Sequence, residues 1–576
     1  MQDIADHQGT PAALDPITLE VIRHALVAIT NQIDANIKRT AFSPYIYEYN
    51  DFAVGLTGPD GELVAQCTGG MPPFVADSVG MAVRDGLNVY GRERLQAGDV
   101  VLCNHAAVQG QHLNNTVMYT PIHAGHDLIG FFAINVHWID IGGSVPRSTD
   151  IFMEGLQLRS IKLWSRGAPI EEVYRIIENN TRQPTELMGD IAAQLAGCLL
   201  GRDLTAELAD KYGMATFRRA VALILDQSEA AARSLIRAMP DGVYGAETFL
   251  DNDRSSDEPL PIRVKVTVQG DELTVDYSGM AGEVKGPINS GYFGGGQTTA
   301  RVAFKYLMGP GEMANEGTFR PLKLVLPPGK ILSAAPTAPM GNYSTPFPTV
   351  IDTVIKALEK ALPERVPGGH FGTHSGIRFY GKRADGTFFG THDSGHGGWG
   401  AGATHDGAGP FRTMAHGDTR IIPLELQEAT LPIRIEEFAL RQDSAGAGTF
   451  RGGLGFRKTY RILAPCMVQT NLDRTRFPPW GVQGGKEAKP GRFTLMQQAT
   501  GDTRPIGKEK GLALEPGDLL CVETGGGGGY GAPAKRQLRL IQRDLDAGYV
   551  SAAAAEQDYG VAIEADGQAR KAGELR

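Results

Sequence analysis

The chain lacks most of what would mark a redox, secreted or membrane protein. Its five cysteines (Cys67, Cys103, Cys198, Cys466 and Cys521) are scattered and form no Cys-x-x-Cys pair. That excludes a cysteine-rich zinc site and fits reduced thiols. No apolar run approaches the ~20 residues of a membrane span. The opening stretch, MQDIADHQGTPAALDP, has neither a basic n-region nor an apolar h-region, so no secretory signal is expected and the expected compartment is the cytoplasm. Positive charge is in deficit. A formal net charge of −9 argues against a nucleic-acid or anionic-membrane partner. GxxxxGK[ST], GxSxG and HExxH are all absent, which sets aside a phosphate loop, a serine-hydrolase elbow and a zincin helix. GHGGWG (Gly395–Gly400) matches GxGxxG, but the AGATHDGAG after it cannot form the required helix. TGGGGGYG (Thr524–Gly531) looks like a phosphate loop without its Lys-Ser/Thr end.

Glycine and clustered histidine are what the chain has instead. Its 74 glycines are nearly double the typical ~7%. Tight turns and close backbone approaches should therefore shape much of the architecture. At 576 residues the chain is too long for one core. An α+β multidomain protein is expected, with a mixed α/β and helical part over 1–240. A central α/β part over 241–440 and a β-rich part with a helical tail over 441–576 should follow. The first boundary rests on a change of texture near residue 240, where helical periodicity gives way to the alternating RVKVTVQGDELTVDYSG. Helices are predicted over Thr18–Thr40, Val75–Tyr90, Pro169–Asn180, Arg182–Leu200 and Thr205–Ala238, the last broken near Tyr212-Gly213. Others are predicted over Asn289–Met308 and Thr349–Leu362.

Eleven of the 13 histidines fall in two windows. The first centres on QGQHLNNTVMYTPIHAGHDLIGFFAINVHWIDIGG (Gln109–Gly143), which reads as strands Thr116–His123 and Leu128–His137 around an Ala124–Asp127 turn. The second strand is almost wholly apolar and should be buried on both faces. His112 and His137 are nearly equidistant from the turn, so the hairpin brings them together, close enough to share a metal. Asn115 and Asp140 each lie three residues past one of them. The set can make a metal or acid–base site, or the histidines can be structural. Asp51, opening the apolar strand before a Gly-Pro-Asp-Gly turn, is a turn residue or a ligand. The second window holds His370, His374, His392, His396, His405 and His416 among glycines. It can be a second site, part of the first, or a loop-rich surface.

With these residues in view, the chain resembles the B-type subunit of the hydantoinase/oxoprolinase family, whose relatives include N-methylhydantoinase, caprolactamase and the acetone and acetophenone carboxylases. The resemblance rests on DPITLEVIRHAL, NDFAVGLTGPDGELVAQ, GQHLNNTVMYTPI, HWIDIGG, NEGTFRP, DSAGAGTFRGGLG, DRTRFPPWGVQGGKEAKPG and TGGGGGYGAP. It implies an ATP-dependent cyclic-amide hydrolase acting on a hydantoin, 5-oxoproline or another lactam. An A-type partner with an actin-like ATPase fold, joined in a heterotetramer and using ATP and Mg, would phosphorylate the substrate. This subunit's metal-activated water would complete ring opening. The resemblance places Asp51, His112 and His137 on a divalent metal (Zn, Mn or Fe), with Asp140 and Asn115 as catalytic neighbours. It puts Asn115 where the family commonly has Asp. A subunit of a ketone carboxylase and a non-catalytic scaffold are the alternatives.

Overall fold

The computed structural model describes residues 14–144, 148–309, 311 and 313–571. The first 13 residues, most of the stretch read as lacking a secretory signal, lie outside this set. No helix among the described residues is long and apolar enough to cross a membrane.

Helix α1 (Pro16–Thr40) starts where the Asp15 carboxylate accepts from Thr18 N at 3.0 Å and Pro16 fills the first turn. Leu19, Ile22, Leu26, Ile29, Ile33 and Ile37 recur at the three- and four-residue spacing of an amphipathic helix, and all are buried except Ile29, which is half-buried. The chain then builds a seven-stranded antiparallel sheet from β1 (Phe52–Thr57), β2 (Leu63–Gln66), β3 (Val100–Cys103), β4 (Asn115–Ala124), β5 (Asp127–His137), β6 (Ile161–Ser165) and β7 (Ala168–Pro169). Its order is β2-β1-β5-β4-β3-β6-β7, so the histidine hairpin β4–β5 lies inside the sheet. Ala124 pairs with Asp127, leaving Gly125-His126 as a two-residue loop with Gly125 at φ 60°. Strand β5 is covered on both faces, as its continuous apolar run predicts. Phe132, Ile134 and Val136 share a buried core with Ile33 and Ile37 of α1, while Phe131 and Ala133 share another with Val79 and Val83 of α2 (Val79–Tyr90).

Two long helices follow, α3 (Pro184–Tyr212) and α4 (Met214–Arg237), separated at Gly213. No break falls near residue 201. A Cβ on Gly201 would lie 2.3 Å from the Phe132 ring, so the glycine serves close helix-on-sheet packing rather than a turn. Gln194 fastens α3 to the hairpin. Its amide donates to Thr116 O and Ile134 O, and its oxygen accepts from Trp138 Nε1. The helix expected from Val75 opens as a π-helical turn, Phe74–Ser78. The one expected from Asn289 begins at a second π-turn, Tyr292–Gln297, and continues as α5 (Thr298–Met308). Strands β8 (Gly242–Leu250), β9 (Leu260–Gln269), β10 (Glu272–Asp276) and β11 (Leu322–Val325) form a second sheet, across which α6 (Phe347–Ala357) lies.

Apart from a small hairpin in the tail, Val561–Ile563 with Ala569–Lys571, the strands that follow are β12 (Gly376–Lys382), β13 (Phe388–Ser394), β14 (Ile433–Leu440), β15 (Phe456–Ile462), β16 (Cys466–Asn471), β17 (Arg492–Met496), β18 (Thr503–Ile506), β19 (Leu512–Leu514) and β20 (Leu519–Glu523). Strands β12 to β20 form two sheets, β13-β12-β16-β19 and β14-β15-β20-β17-β18, around one shared core that includes Ile377, Phe379, Tyr460, Val468, Leu495 and Val522. The expected boundaries at 240 and 440 do not divide the cores. One core draws its members from Leu19 to Ala415, straight through 240, and β12 pairs with β16 across 440. Texture follows local secondary structure, whereas a core follows packing between distant segments.

The glycine-rich stretches explain themselves as backbone contacts. A Cβ on Gly527 would lie 1.9 Å from Trp399 O, and one on Gly528 1.8 Å from Trp480 O. The N–H groups of Gly526, Gly527, Gly528 and Gly529 donate to Lys489 O, Gly453 O, Gly369 O and Lys486 O. TGGGGGYG is therefore a packed spine with these donors already used, not a cradle for phosphate. A similar contact precedes His112. Gly110 (φ 66°) lies against Gly291, whose N–H donates to Gly110 O at 2.9 Å. A Cβ on Gly110 would be 2.5 Å from Gly291 Cα. Gly110→Ala should therefore destabilise the protein by about 2–5 kcal/mol, combining the left-handed penalty with overpacking. Gly125→Ala, also left-handed but with nothing within 4 Å of the new Cβ, should lose only about 1–2 kcal/mol. Melting temperatures of the two variants compared with the wild type check the ranking.

Candidate active site

Asp51, His137 and Asn115 lie in one row across three neighbouring strands. Asn115 is paired with His137 across β4 and β5, and His137 N donates to Asp51 O just before β1. Directly opposed residues on an antiparallel sheet share a face. His112 sits one turn ahead of β4, its ring centroid 5.0 Å from that of His137. Asn50, immediately before Asp51, is held at φ 63°, a conformation asparagine tolerates better than most residues. The four side chains line a cavity of about 110 Å³.

The far wall comes from the other end of the chain. Gly376, Arg378, His392, Gln469 and Asn471 line it from the face of the β13-β12-β16 sheet, and His374 and His416 join them. The two histidine windows thus meet in one cavity. The His374 and His416 ring centroids are 3.8 Å apart. The other three histidines of the second window lie elsewhere. His370 faces Asp352 at 3.4 Å, His396 lines a larger neighbouring cavity, and His405 contacts Asp406 O. Tyr45 stacks on His137 with ring centroids 5.1 Å apart, and Tyr343 packs beside His112 at 4.8 Å. The Met340–Pro348 loop that brings Tyr343 in is held by buried Glu154, whose carboxylate accepts from Met340 N at 2.7 Å and Gly341 N at 2.8 Å.

Burial sets the protonation of this site. It pushes the Asp51 carboxyl up to about 7, only partly opposed by the charge of Arg412. It pulls His112 down to about 4 and His374 to about 4, and His137 and His416 fall well below the ordinary imidazole value. The imidazoles are therefore neutral at physiological pH, with lone pairs available. Asp51 Oδ1, His137 Nδ1, His374 Nδ1 and His416 Nδ1 are buried without a hydrogen-bond partner. Each such atom carries a desolvation penalty of about 1–3 kcal/mol unless something binds it.

Asn115 is fixed by three partners. Its amide nitrogen donates to Gln111 Oε1 and Tyr343 Oη, both at 2.9 Å, which turns Oδ1 toward His112 Nε2 at 2.8 Å. Gln111 is itself oriented, donating to Ser78 Oγ at 2.7 Å. Neutral His112 has one ring proton and two acceptors in reach, Asn115 Oδ1 and, at 3.3 Å, Gly341 O. The nearer acceptor takes the proton, so Nε2–H donates to Asn115 Oδ1, and coordination of a cation through Nε2 would require that proton to move to Nδ1 and Gly341 O. The donor set of two neutral imidazoles, a carboxylate and an amide oxygen suits a divalent transition metal. The arrangement is not a closed cage: among the described residues, no three His, Cys, Asp or Glu groups are already set to hold an ion.

Asp140 does not line the cavity. Its carboxylate is taken up by the Arg182 guanidinium and backbone N–H and by Thr181 Oγ1. It makes no hydrogen bond to His137, whose Nδ1 is without a partner. Arg378 and the tyrosines were not singled out in the sequence. The available signal was alternation along GIRFYGK, where Ile377 and Phe379 enter the core and Arg378 faces the other way.

Comparison with known proteins agrees with the motifs. The Hydantoinase B/oxoprolinase family model matches residues 15–533. The caprolactamase beta subunit of Pseudomonas jessenii is 31% identical over 583 residues, covering 96% of this chain and 97% of that one. The crystal structure of the ATP-dependent caprolactamase from the same organism superimposes with a TM-score of 0.87 at 29% identity, covering 96% of this chain and 98% of that one. A protein of Pseudomonas sp. (strain NS671) assigned as the B-type component of a D-/L-hydantoinase is 28% identical, covering 96% of this chain and 95% of its own. Nucleotide-free acetone carboxylase matches with a TM-score of 0.86 at 19% identity, covering 96% of this chain and 81% of that one, a likeness of fold alone. The chain therefore belongs to the hydantoinase B/oxoprolinase family.

Proposed function

We propose that this chain is the ring-opening subunit of an ATP-dependent cyclic-amide hydrolase. A partner ATPase of the A type would phosphorylate the oxygen of a hydantoin, 5-oxoproline or other lactam, and this chain would complete the reaction in the cavity around Asp51, His112, Asn115 and His137. The observation that carries the reading is the convergence of those four donors, in a family member 31% identical to a caprolactamase beta subunit.

Asp51, His112 and His137 would hold a divalent metal, with Asn115 Oδ1 beside them. Bound there, the ion would supply a water whose pKa is lowered toward ~7. The protein's own groups do the rest. Tyr45 holds the His137 ring by stacking, and Asn115 steers His112. The surrounding burial excludes bulk water and keeps both imidazoles uncharged. His374, whose Nε2 donates to Ser344 O at 2.8 Å, presents a bare Nδ1 lone pair among the bases lining the cavity. Water adds to the carbon bearing the phosphorylated oxygen, a proton passes to the ring nitrogen as the C–N bond breaks, and a second water releases phosphate from the resulting acyl phosphate to leave the carboxylate.

The purified chain should not turn over ATP alone and should do so in the presence of lactam only with its ATPase partner. ATP turnover by the isolated chain, or turnover that demands bicarbonate and a ketone, would sink the proposal. The isolated chain should also bind about one divalent ion. His112→Ala and His137→Ala should each weaken binding by more than the roughly 10–100-fold of an outer-sphere change, measured by elemental analysis and titration calorimetry.

Metal binding should depend on pH in a defined direction. With its folded value raised from 3.8 to about 7, Asp51 is protonated below that pH and must lose its proton to bind a cation. Affinity should therefore fall about tenfold per pH unit below ~7 and level off above it. Asp51→Asn should bind more weakly and with a flat profile there, because both imidazoles stay neutral throughout. Calorimetric titrations across that range check the slope.

A further inference from the structure

The chemistry proposed above leaves one charged side chain of the cavity unassigned. Arg378 is the sole lysine or arginine among its lining residues, and Asp51 the sole acid. Among the described residues, the Arg378 guanidinium makes no hydrogen bond and no ion pair. Half-buried, it projects from the middle of β12. Directly opposite it on either side are His392 of β13 and Gln469 of β16. Two residues along the same face, Gly376 is paired with Asn471, and both line the cavity. Gly376 keeps the space in front of these groups open, since a Cβ there would come within 3.0 Å of His392 Cε1. The charge of Arg378 reaches across the cavity, helping to hold His112 and His137 neutral after burial has done most of it.

An unpaired guanidinium in a narrow cavity is a binding element awaiting an anion. Buried arginines elsewhere in this protein are satisfied, either by carbonyls, as Arg412 is by Ser394 O and Arg420 O, or by acids. Arg474 meets Asp352 at 3.0 Å, and Arg536 meets Asp544 at 2.6 Å and Asp406 at 2.7 Å. The charge balance of the cavity favours a phosphoryl group over a single carboxylate. Asp51 is the sole acid of the lining and already feels the charge of Arg412, so a divalent cation beside it would leave the cavity, with Arg378, in excess positive charge. A phosphoryl dianion between the cation and Arg378 offsets that excess.

We propose that Arg378, flanked by His392, Gln469 and Asn471, is the anchor for the phosphoryl group of the activated substrate, which it holds on the side of the cavity opposite Asp51, His112 and His137. The proposal rests on the reaction proposed above but assigns a residue and a ligand chemistry that reading does not use. It makes Arg378 a specificity determinant: the site should take a phosphorylated ring and should discriminate against a neutral one.

The test is calorimetric titration of inorganic phosphate, and separately of acetate, into the full chain with Mn²⁺ present, for the wild type, Arg378→Gln and Arg378→Lys. Melting curves show that each variant is folded, and Mn²⁺ titrations are run in parallel. We expect phosphate to bind the wild type, to bind Arg378→Gln at least about tenfold more weakly, and to bind Arg378→Lys in between, the loss of a charge-assisted contact being of that order. Mn²⁺ affinity should be unchanged or slightly higher in Arg378→Gln, because a like charge has been removed. Equal phosphate affinity in the wild type and a folded Arg378→Gln would overturn the proposal. Acetate binding as tightly as phosphate, with the same dependence on residue 378, would also overturn it by making the subsite one for carboxylate. Absence of Mn²⁺ binding in every variant, with phosphate binding still lost in Arg378→Gln, would refute the metal reading and leave the phosphoryl anchor standing.

Discussion

Close approach of glycine backbones is the constraint on which the rest of this structure depends. The segment that supplies His370 to His416 is threaded between Gly452–Gly455, Trp480–Gly485 and the Gly525–Gly529 run, and at most of the contact points an added Cβ would collide with a carbonyl. Each Gly–carbonyl contact is also a place where backbone hydrogen bonds replace side-chain packing. The exchange lets a loop-rich region be rigid without large apolar side chains. That rigidity holds the second wall of the cavity against the first. At Gly110 and Gly291 the same device fixes the turn just ahead of His112.

The electrostatics of the cavity follow from this enclosure. In water Asp51 would be ionised and the histidines half charged near neutrality. Enclosed, all shift toward their uncharged forms, because a low-dielectric surrounding penalises whichever form carries charge. The outcome is a donor set that is poorly solvated without a cation. Arg378 is the exception, since a guanidinium cannot shed its proton at any accessible pH. The cavity thus holds several groups that can relax by neutralising and one that cannot, and that asymmetry separates its two sides chemically.

The sequence was legible where the pattern was local. The stripe from Leu19 to Ile37, the strands around Gly125 and the helix break at Gly213 all emerge as the periodicity and turn chemistry indicate. So does the placement of His112 and His137 together, since hairpin register follows from the turn. What was not legible depends on distant partners. Asp140 has the spacing of a ligand, but Arg182, at the foot of α3, takes its carboxylate. His374 and His416 were indistinguishable in sequence from His405, and only the packing of β12 and β16 separates cavity from surface. Several of the long motifs prove to be structural joints: Asn315 caps a turn with Thr318, and Asp473 and Arg474 pair with Lys508 and Asp352.

The placement of the two walls also bears on how the protein is made. Asp51 and Asn471 face one cavity from opposite ends of the chain, and β16, which carries Asn471, is paired on its outer side by β19 (Leu512–Leu514). A ribosome adding about 5–20 residues per second needs roughly 20–80 s to travel from the first of these residues to the last. Through that interval the hairpin and its donors exist beside a cavity with one side open to the surrounding pool of ions and small molecules. Any fragment ending before β16 owns the donors without the enclosure that tunes them. The site is thus one of the last things this polypeptide acquires, and its selectivity is a property of the finished chain.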